Sequence, residues 1–281
     1  MDATTALVSA AIADYEVLRV LGEGPTARCY LARPPARNEA VADAAVKQVA
    51  VKVFTTLVTE QAFDRAVREL RAVAAVQSPH VAQVFNAVLK KHFAYVMEYF
   101  PLGSLAQPAR PPARVEILTA LEHAARGAHA LHEAGIAHGG IHPGNVLLIE
   151  EAGGMIGGRL SDPALSQVLT PGAVVPGAGR GGVLEFRDPD LLAGASPSRR
   201  TEVWALGATI HRALCGAGLY GELPGDPLGA IRELHMTRPQ LRPGLEPAEA
   251  ELVRDCIADG PARLRTAAEV ADRLAALRSL P

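Results

Sequence analysis

The sequence is poor in aromatic residues and cysteine, and it lacks any long apolar run. Phe, Trp and Tyr together make up 4% of the 281 residues. Cys29, Cys215 and Cys256 are odd in number and show no C-x-x-C spacing, so we expect reduced thiols and no disulfide framework. No apolar run approaches the roughly 20 residues that a membrane-spanning helix needs. Asp2 stands where a signal peptide carries basic residues. These absences predict a cytoplasmic protein.

A strong charge of either sign is also absent. The formal net charge is −2, so no overall field would attract nucleic acid or an anionic membrane, and we expect neither as a partner. Hydrophobic residues make up 49% of the chain and charged residues 21%, which is typical of a globular protein with a large core. This length fits one large domain or a two-lobed unit.

The N-terminal part combines a glycine-rich turn with a strand that carries a lysine. Residues 15–21 are apolar and β-branched and end at Gly22, which predicts a strand followed by a turn. Gly22 and Gly24 would let the backbone approach a phosphate closely, although a plain hairpin turn has the same pattern. Val49–Phe54 reads VAVKVF and predicts a buried strand. Lys52 within it needs a charged partner, or else lies at a sheet edge in water.

A helix, a strand and a second helix follow. Apolar residues recur at helical spacing between about residues 59 and 76, and Glu69 adjoins this apolar seam. We therefore expect Glu69 to face the sheet. His92–Phe100 predicts a strand, and the proline-rich residues 107–112 leave room for only a stunted helix. A long amphipathic helix is predicted around residues 118–131.

The stretch IAHGGIHPGNVLL, residues 136–148, carries the most informative pattern. It resembles the catalytic loop of the eukaryotic-type protein kinases, H-R-D-L-K-P-x-N, with His138 and Asn145 in the family's His and Asn positions. The positions of the family's Arg, catalytic Asp and Lys hold Gly139, Gly140 and His142. In an active kinase that Asp accepts the proton of the substrate hydroxyl. Glycine has no side chain that could do so, and the resemblance therefore implies a pseudokinase.

Other segments resemble the same family in the same order. The glycine-rich turn resembles G-x-G-x-x-G-x-V, with Ala27 in place of the third Gly, and the strand VAVKVF resembles the family's V-A-I-K. The sequence L-S-D-P-A resembles the D-F-G segment, with Asp162 as the magnesium-chelating residue. Val183 replaces a Thr that contacts the catalytic Asp and Lys.

A second resemblance concerns the end of the activation segment. Asp188-Pro189-Asp190 is similar to the family's A-P-E, with Asp190 in place of the Glu. The family's Arg partner of that Glu falls on Leu264.

The resemblance implies an α+β, two-lobed protein-kinase fold. It places an N-terminal extension at residues 1–14, a small β-rich lobe with one main helix at 15–100 and a larger helical lobe at 101–281. It also implies that ATP and Mg²⁺ are bound. The magnesium ligands would be Asn145 and Asp162. The residues that it implies for the nucleotide are Gly22, Gly24, Ala27, Ala50, Lys52, Glu69, Met97, Glu98 and Phe100.

Three functions are compatible with these residues. The favoured one is a signalling module that binds ATP, lacks efficient phosphate transfer and acts through a protein partner. The second is an active serine/threonine kinase that uses another base, such as His142 or a water molecule. The third is a scaffold with an empty nucleotide pocket, which Pro25 and Ala27 suggest. Five histidines between residues 123 and 142 raise the question of zinc, but no cysteine or second paired element joins them, and we expect no zinc site.

Overall fold

The fold is α+β, as the sequence predicts, with one unit dominated by an antiparallel sheet and another that is largely helical. A computed structural model of the chain describes residues 15–24, 26–35, 46–55, 58–89, 92–163, 165 and 181–279. The described residues of 15–75 and 82–99 belong to the first unit. Those of 76–81, 100–163 and 181–279 belong to the second.

The first unit contains a five-stranded antiparallel sheet in the order β1–β2–β3–β5–β4. Its strands are β1 (Glu16–Glu23), β2 (Ala27–Arg33), β3 (Val49–Phe54), β4 (Val84–Leu89) and β5 (Phe93–Glu98). Lys52 on β3 pairs with Cys29 on β2 and with Tyr95 on β5. Lys52 therefore lies on the central strand of the sheet, which excludes the edge-strand alternative.

Helix α1 (Glu60–Ala74) belongs to the same unit. Thr59 caps its N-terminus, since the Thr59 hydroxyl accepts a hydrogen bond from the Ala62 amide at 3.3 Å. The buried residues repeat at three- or four-residue intervals and form one face of the helix. They are Ala62, Ala66, Leu70 and Val73.

The second unit contains a smaller sheet in the order β7–β6–β8–β9. Its strands are β6 (Gly103–Ser104), β7 (Gln107–Pro108), β8 (Val146–Glu150) and β9 (Ile156–Leu160). The predicted stunted helix at 107–112 is wrong, because β6 and β7 form a tight hairpin there. Gly103 has a φ of +77°, and a Cβ on it would collide with the Gln107 carbonyl oxygen. Pro108 is acceptable on β7 because β7 is the edge strand of this sheet.

The remaining helices belong to the second unit. They are α2 (Arg114–Glu133), α3 (Pro189–Leu192), α4 (Arg199–Cys215), α5 (Pro227–Met236), α6 (Pro247–Ile257) and α7 (Ala267–Arg278), with 3-10 turns at Pro143–Asn145, Gly181–Phe186 and Gly260–Ala262. Glycines allow close packing between these elements. A Cβ on Gly158 would lie 2.7 Å from the Ala120 carbonyl oxygen of α2, and one on Gly207 would lie 2.5 Å from the Cys256 Cβ of α6. In the described part of the chain, no helix combines the length and apolarity needed to cross a membrane.

Candidate functional site

The loop that follows α2 is anchored by the buried carboxylate of Glu202 on α4. One carboxylate oxygen lies 2.6 Å from Nε2 of His132, and the other accepts the amide hydrogen of Gly139. Burial alone would raise the pKa of Glu202, but the hydrogen bond from His132 and the Gly139 amide hold that pKa below its ordinary value. Gly139 has a φ of +73°, a conformation that favours glycine. The loop is thus held at this point through its backbone.

His138 links the loop to the end of β9. Its Nδ1 accepts the Gly140 amide hydrogen at 3.3 Å, and its Nε2 lies 3.0 Å from the Ser161 carbonyl oxygen. Burial lowers the pKa of His138, so the ring is neutral and carries its proton on Nε2, where it donates to Ser161. Both ring nitrogens contact the backbone. His138 therefore positions the loop and is not placed to move a proton.

Gly140, at the position of the catalytic Asp, contributes only its backbone. Its carbonyl oxygen accepts a hydrogen bond from Nδ2 of Asn145 at 2.8 Å. His142 lies two residues after Gly140 and has a titratable side chain. Its Nδ1 accepts the Gly144 amide hydrogen at 3.0 Å, and its ring centroid lies 5.9 Å from that of Phe186. With Nδ1 acting as acceptor, a neutral ring carries its proton on Nε2, so His142 is arranged as the N-cap of a 3-10 turn.

Asn145 and Asp162, which the sequence resemblance implies as metal ligands, lie next to each other in the second unit. Asn145 Nδ2 is 3.4 Å from the Asp162 carbonyl oxygen, and the Asn145 carbonyl accepts the Ser161 amide hydrogen at 2.9 Å. Asp162 has a φ of +63°, and among the described non-glycine residues it alone has positive φ. Such strained backbone is common at functional sites.

The donor set of Asn145 and Asp162 fits a magnesium ion. Because Asn145 Nδ2 donates to backbone carbonyls, the side-chain oxygen Oδ1 is the atom that can bind a cation. Oδ1 and the Asp162 carboxylate are oxygen ligands of the kind that Mg²⁺ prefers. No group of three His, Cys, Asp or Glu suited to a metal occurs among the described residues. Mg²⁺ does not need one, since it is usually held by one or two protein ligands together with substrate phosphates.

The glycine-rich turn connects β1 and β2 in the first unit. Gly22 lies opposite Cys29, and the Gly24 amide donates to the Ala27 carbonyl at 2.8 Å. The Gly24 amide is therefore used inside the hairpin, which leaves one donor fewer for an anion. Pro25 lies outside the described residues.

Lys52, Ala50 and Met97 lie on the central strands of that unit. Ala50 and Met97 pair across β3 and β5, and both are buried. Lys52 is half-buried, with Nζ 5.6 Å from the ring centroid of Phe54. This placement suits the predicted role of Lys52 with a phosphate.

The placement predicted for Glu69 is wrong. Its side chain is exposed, outside the buried face of α1, where we expected it to face the sheet. Partial desolvation raises the pKa of its carboxylate, and the charge of Arg65, one turn earlier on the same helix, opposes that shift. The period of the apolar residues placed Leu70 correctly in the core, and Glu69, one residue earlier, is rotated by about 100° from it. Its role in nucleotide binding stays a prediction.

Backbone groups of Glu98 and Phe100 have defined partners. The Glu98 amide donates to the Gln83 carbonyl at 2.9 Å, and the Phe100 carbonyl accepts from the Gly103 amide at 3.2 Å. The Arg159 guanidinium lies 5.9 Å from the Phe100 ring centroid. The main-chain contact of Glu98 and Phe100 with a nucleotide stays a prediction.

Val183 belongs to the 3-10 turn Gly181–Phe186, is exposed and has no hydroxyl group. It cannot supply the hydrogen bonds of the Thr that it replaces. In the same turn, buried Glu185 forms two hydrogen bonds with Arg212 of α4, at 2.8 and 2.6 Å. Burial raises the pKa of Glu185, and Arg212 opposes that shift. The sequence pattern gave no signal for this pair, because 27 residues separate its members.

The assignment of the A-P-E acid and its Arg partner is also wrong. Asp190 is exposed, whereas Asp188 is buried and pairs with buried Arg263. Asp188 also caps α3, accepting the Asp190 amide hydrogen at 3.0 Å. Leu264 has no charge to offer, and its neighbour Arg263 takes the role. Two arginines flank Leu264 in the sequence R-L-R, and that is the signal that could have identified the pair.

Known proteins resemble this chain over most of its length. A family model described as protein kinase domain matches residues 15–271. The DNA damage-responsive serine/threonine-protein kinase RqkA of Deinococcus radiodurans is 28% identical over 258 residues, which cover 85% of this chain and 35% of that protein. The serine/threonine-protein kinase PknJ of Mycobacterium tuberculosis is 27% identical over 265 residues, which cover 91% of this chain and 44% of that protein.

The serine/threonine-protein kinase PknK of Mycobacterium tuberculosis is 30% identical over 238 residues, 81% of this chain and 21% of that protein. The chain thus spans less than half the length of each of these relatives. Because the kinase family model covers nearly the whole chain, the chain belongs to the protein kinase domain family.

Proposed function

We propose that the chain is a pseudokinase, a protein kinase domain that binds Mg-ATP, transfers phosphate inefficiently and acts through a protein partner. Gly140 is the observation that carries this proposal. At the position of the catalytic base it offers only a carbonyl oxygen, and that oxygen accepts a hydrogen bond from Asn145. No carboxylate is available at this position to accept the proton of a substrate hydroxyl.

Neighbouring residues support the same conclusion. His142 stands where active kinases have a lysine, its Nδ1 caps a turn, and its ring lies against Phe186. Val183 has no hydroxyl group. A positioned base typically contributes about 10²–10⁴ to a rate, while positioning and charge stabilisation supply much of phosphoryl transfer. A slow residual transfer is therefore compatible with this proposal, and an efficient one is not.

The residues that are expected to bind the nucleotide phosphates and the magnesium ion are present, and this supports Mg-ATP binding. Lys52 lies on a central strand, and Asn145 and Asp162 present neighbouring oxygen ligands. Bound Mg²⁺ would neutralise phosphate charge, and Lys52 would bind a phosphate oxygen. The Glu98 carbonyl and the Phe100 amide would orient the base.

Thermal unfolding with and without Mg-ATP tests nucleotide binding. Ligand at a hundred times Kd should add about 2.7 kcal/mol to the free energy of unfolding. Magnesium alone and Asp162→Ala with Mg-ATP are the controls, and both should give smaller shifts. An unchanged midpoint across a titration to millimolar Mg-ATP would favour the scaffold with an empty pocket.

Transfer of labelled γ-phosphate tests the catalytic part. We expect no incorporation above that of Asp162→Ala, either into the chain itself or into basic and acidic protein substrates. Gly140→Asp alone should not restore full activity, because His142 and Val183 also differ from the active pattern. The second candidate is an active serine/threonine kinase, because the relatives RqkA and PknJ are named serine/threonine-protein kinases. Robust incorporation that is lost in both Asp162→Ala and His142→Ala would establish it.

A further inference from the structure

The edge strand β9 is held against helix α2 through its outward-facing amides. β9 is the last strand of the smaller sheet, so the amides of alternate residues point away from β8. The Ile156 amide donates to Oε1 of Glu116 at 3.2 Å, and the Gly158 amide donates to Nδ1 of His123 at 3.3 Å. Both acceptors belong to α2. One is a carboxylate and the other is an imidazole, which is the side chain that titrates near neutral pH.

The His123 ring can accept this hydrogen bond only in its neutral form. With Nδ1 as the acceptor, the neutral ring carries its proton on Nε2. Protonation of Nδ1 would place two N–H donors opposite each other and leave the Gly158 amide without its acceptor. Gly157 leaves room for this contact, since a Cβ there would lie 2.8 Å from Nδ1 of His123 and 2.7 Å from Oε1 of Glu151. The contact therefore belongs to one protonation state.

A second histidine ring lies against His123. The ring centroids of His80 and His123 are 4.4 Å apart, at an interplanar angle of 42°. The backbone fixes His80 in this position. Its carbonyl oxygen accepts the Leu160 amide hydrogen at 2.8 Å, and a Cβ on Gly127 of α2 would lie 2.5 Å from the same oxygen. A positive charge on either ring therefore disfavours a charge on the other.

Charged groups on α2, on the turn after β8 and on α7 face this pair. They are Glu122 and Arg126 of α2, Glu151 after β8 and Arg278 of α7. Burial lowers the pKa of His123 from its ordinary 6.5, the two carboxylates oppose that shift, and Arg278 adds to it. Burial, followed by the charge of His123, lowers the pKa of His80, which the carboxylates oppose and Arg126 favours. Both rings are therefore neutral at pH 7 and gain a proton in more acidic solution.

We propose that the His123–His80 pair is a pH-sensitive switch, which holds the middle of β9 on α2 while His123 is neutral and releases the Gly158 amide when Nδ1 takes up a proton from solvent. The carboxylate of Glu151, with Oε1 3.7 Å from Nδ1, then becomes the partner of that nitrogen in place of the Gly158 amide. β9 continues into Ser161 and Asp162, so the release occurs close to the predicted magnesium ligand. The proposal does not depend on whether the chain binds nucleotide or transfers phosphate.

Hydrogen exchange of the β9 amides, resolved by NMR, is the first test. The protection of the Gly158 amide, corrected for the pH dependence of the exchange chemistry, should fall by at least about tenfold between about pH 7 and about pH 5. The Ile156 amide is the internal control, because Arg110 and the Ala113 amide hold the pKa of its acceptor Glu116 at about 2. Unchanged protection of Gly158 overturns the proposal, and so does an equal loss at Ile156.

His123→Asn separates the acceptor from its titration, since an asparagine oxygen can accept a hydrogen bond and does not titrate. The pH response of the Gly158 amide should vanish in this variant, whatever level of protection the asparagine oxygen supplies. His129→Asn is the matched control. His129 is another half-buried histidine of α2, and its Nδ1 has no hydrogen-bond partner among the described residues. A pH response that persists in His123→Asn, or one that His129→Asn removes, contradicts the switch.

Glu151→Gln tests the carboxylate that takes over the protonated ring. Loss of its charge should lower the pH at which the Gly158 amide is half released by about 0.2–0.7 units, a modest shift because the Glu151 side chain is 47% exposed. A midpoint that stays unchanged or moves to higher pH would show that Glu151 does not stabilise the released state, and it would overturn the exchange of partners.

Urea unfolding at several pH values gives the thermodynamic readout. Because the pKa of His123 is lowered in the folded chain, its contribution to stability is complete above the ordinary pKa of 6.5 and is lost as the pH falls below that value. The urea midpoint should therefore fall more between about pH 7 and about pH 5 in the parent than in His123→Asn. Burial also lowers the pKa values of His138 and His211, but these residues are present in both proteins. The same pH dependence in parent and variant would refute the switch.

Discussion

Removal of Asp188 should destabilise the second unit strongly, because it leaves a buried arginine without its counter-ion. The side chains of Asp188 and Arg263 are 1% and 3% exposed. Breaking such a buried pair by deleting one member typically costs about 3–5 kcal/mol. Arg263 keeps hydrogen bonds to the carbonyl oxygens of Ala258 and Arg200, at 2.9 and 3.2 Å, which favours the lower end of that range. The lost cap of α3 adds about 1 kcal/mol.

Urea unfolding followed by tryptophan fluorescence measures this cost. Trp204 is the single tryptophan of the sequence and is buried in α4, so its emission reports on the second unit. If the free energy of unfolding falls by about 3 kcal/mol per molar urea, Asp188→Ala should lower the urea midpoint of unfolding by about 1 M or more. Asp190→Ala is the matched control and should change the free energy of unfolding by less than about 0.5 kcal/mol, because Asp190 is exposed.

A double variant separates the charge effect from packing. Asp188→Leu combined with Arg263→Met replaces the pair by apolar side chains and should cost less than Asp188→Ala alone. The reasoning would be refuted if Asp188→Ala cost under about 1 kcal/mol, or if Asp190→Ala cost as much.

Three further outcomes follow from the described contacts. Lys52→Met should weaken Mg-ATP binding in calorimetry, and Glu69→Gln should weaken it less because the Glu69 side chain is exposed. Equal losses of affinity in the two variants would contradict the exposed position of Glu69. Arg110, followed by the Ala113 amide, lowers the pKa of Glu116 from 4.5 to about 2, so this carboxylate stabilises the fold above pH 4.5 and loses that effect as the pH falls toward 2. Urea midpoints of Glu116→Gln should therefore fall less steeply over that range than those of the parent. Gly207→Ala should cost about 1–3 kcal/mol in the same assay, since its Cβ would overlap Cys256, and a neutral result would show that α4 and α6 separate easily.

Several strands and helices could be predicted from local sequence patterns, and the resemblance to the protein kinases gave the α+β fold. Apolar residue patterns and turn glycines gave strands β1, β3 and β5 and helices α1 and α2. Asn145 lies beside Asp162, and the role of the two residues as magnesium ligands stays a prediction. The correctly predicted strands and helices depend on residues that are close in sequence.

The wrong predictions concern side chains whose position depends on contacts with distant parts of the sequence, or on the rotation of about 100° between neighbouring residues of a helix. The Asp188–Arg263 pair spans 75 residues, and a shift of one or two positions in each motif selected Asp190 and Leu264 in their place. Glu69 lies one residue from the buried face of α1, and that single step moves its side chain to the surface. The β6–β7 hairpin depends on the close approach of Gly103 to Gln107, which composition alone does not reveal.

The two adjacent glycines of the loop differ in how easily their side chains could be restored. Gly140 lies outside the left-handed region, so an aspartate can occupy that position without backbone strain. Gly139 has a positive φ, so an arginine there would adopt a left-handed backbone conformation at a cost of about 1–2 kcal/mol. A single substitution can therefore place a carboxylate at position 140 without this cost, whereas an arginine at position 139 has to bear it.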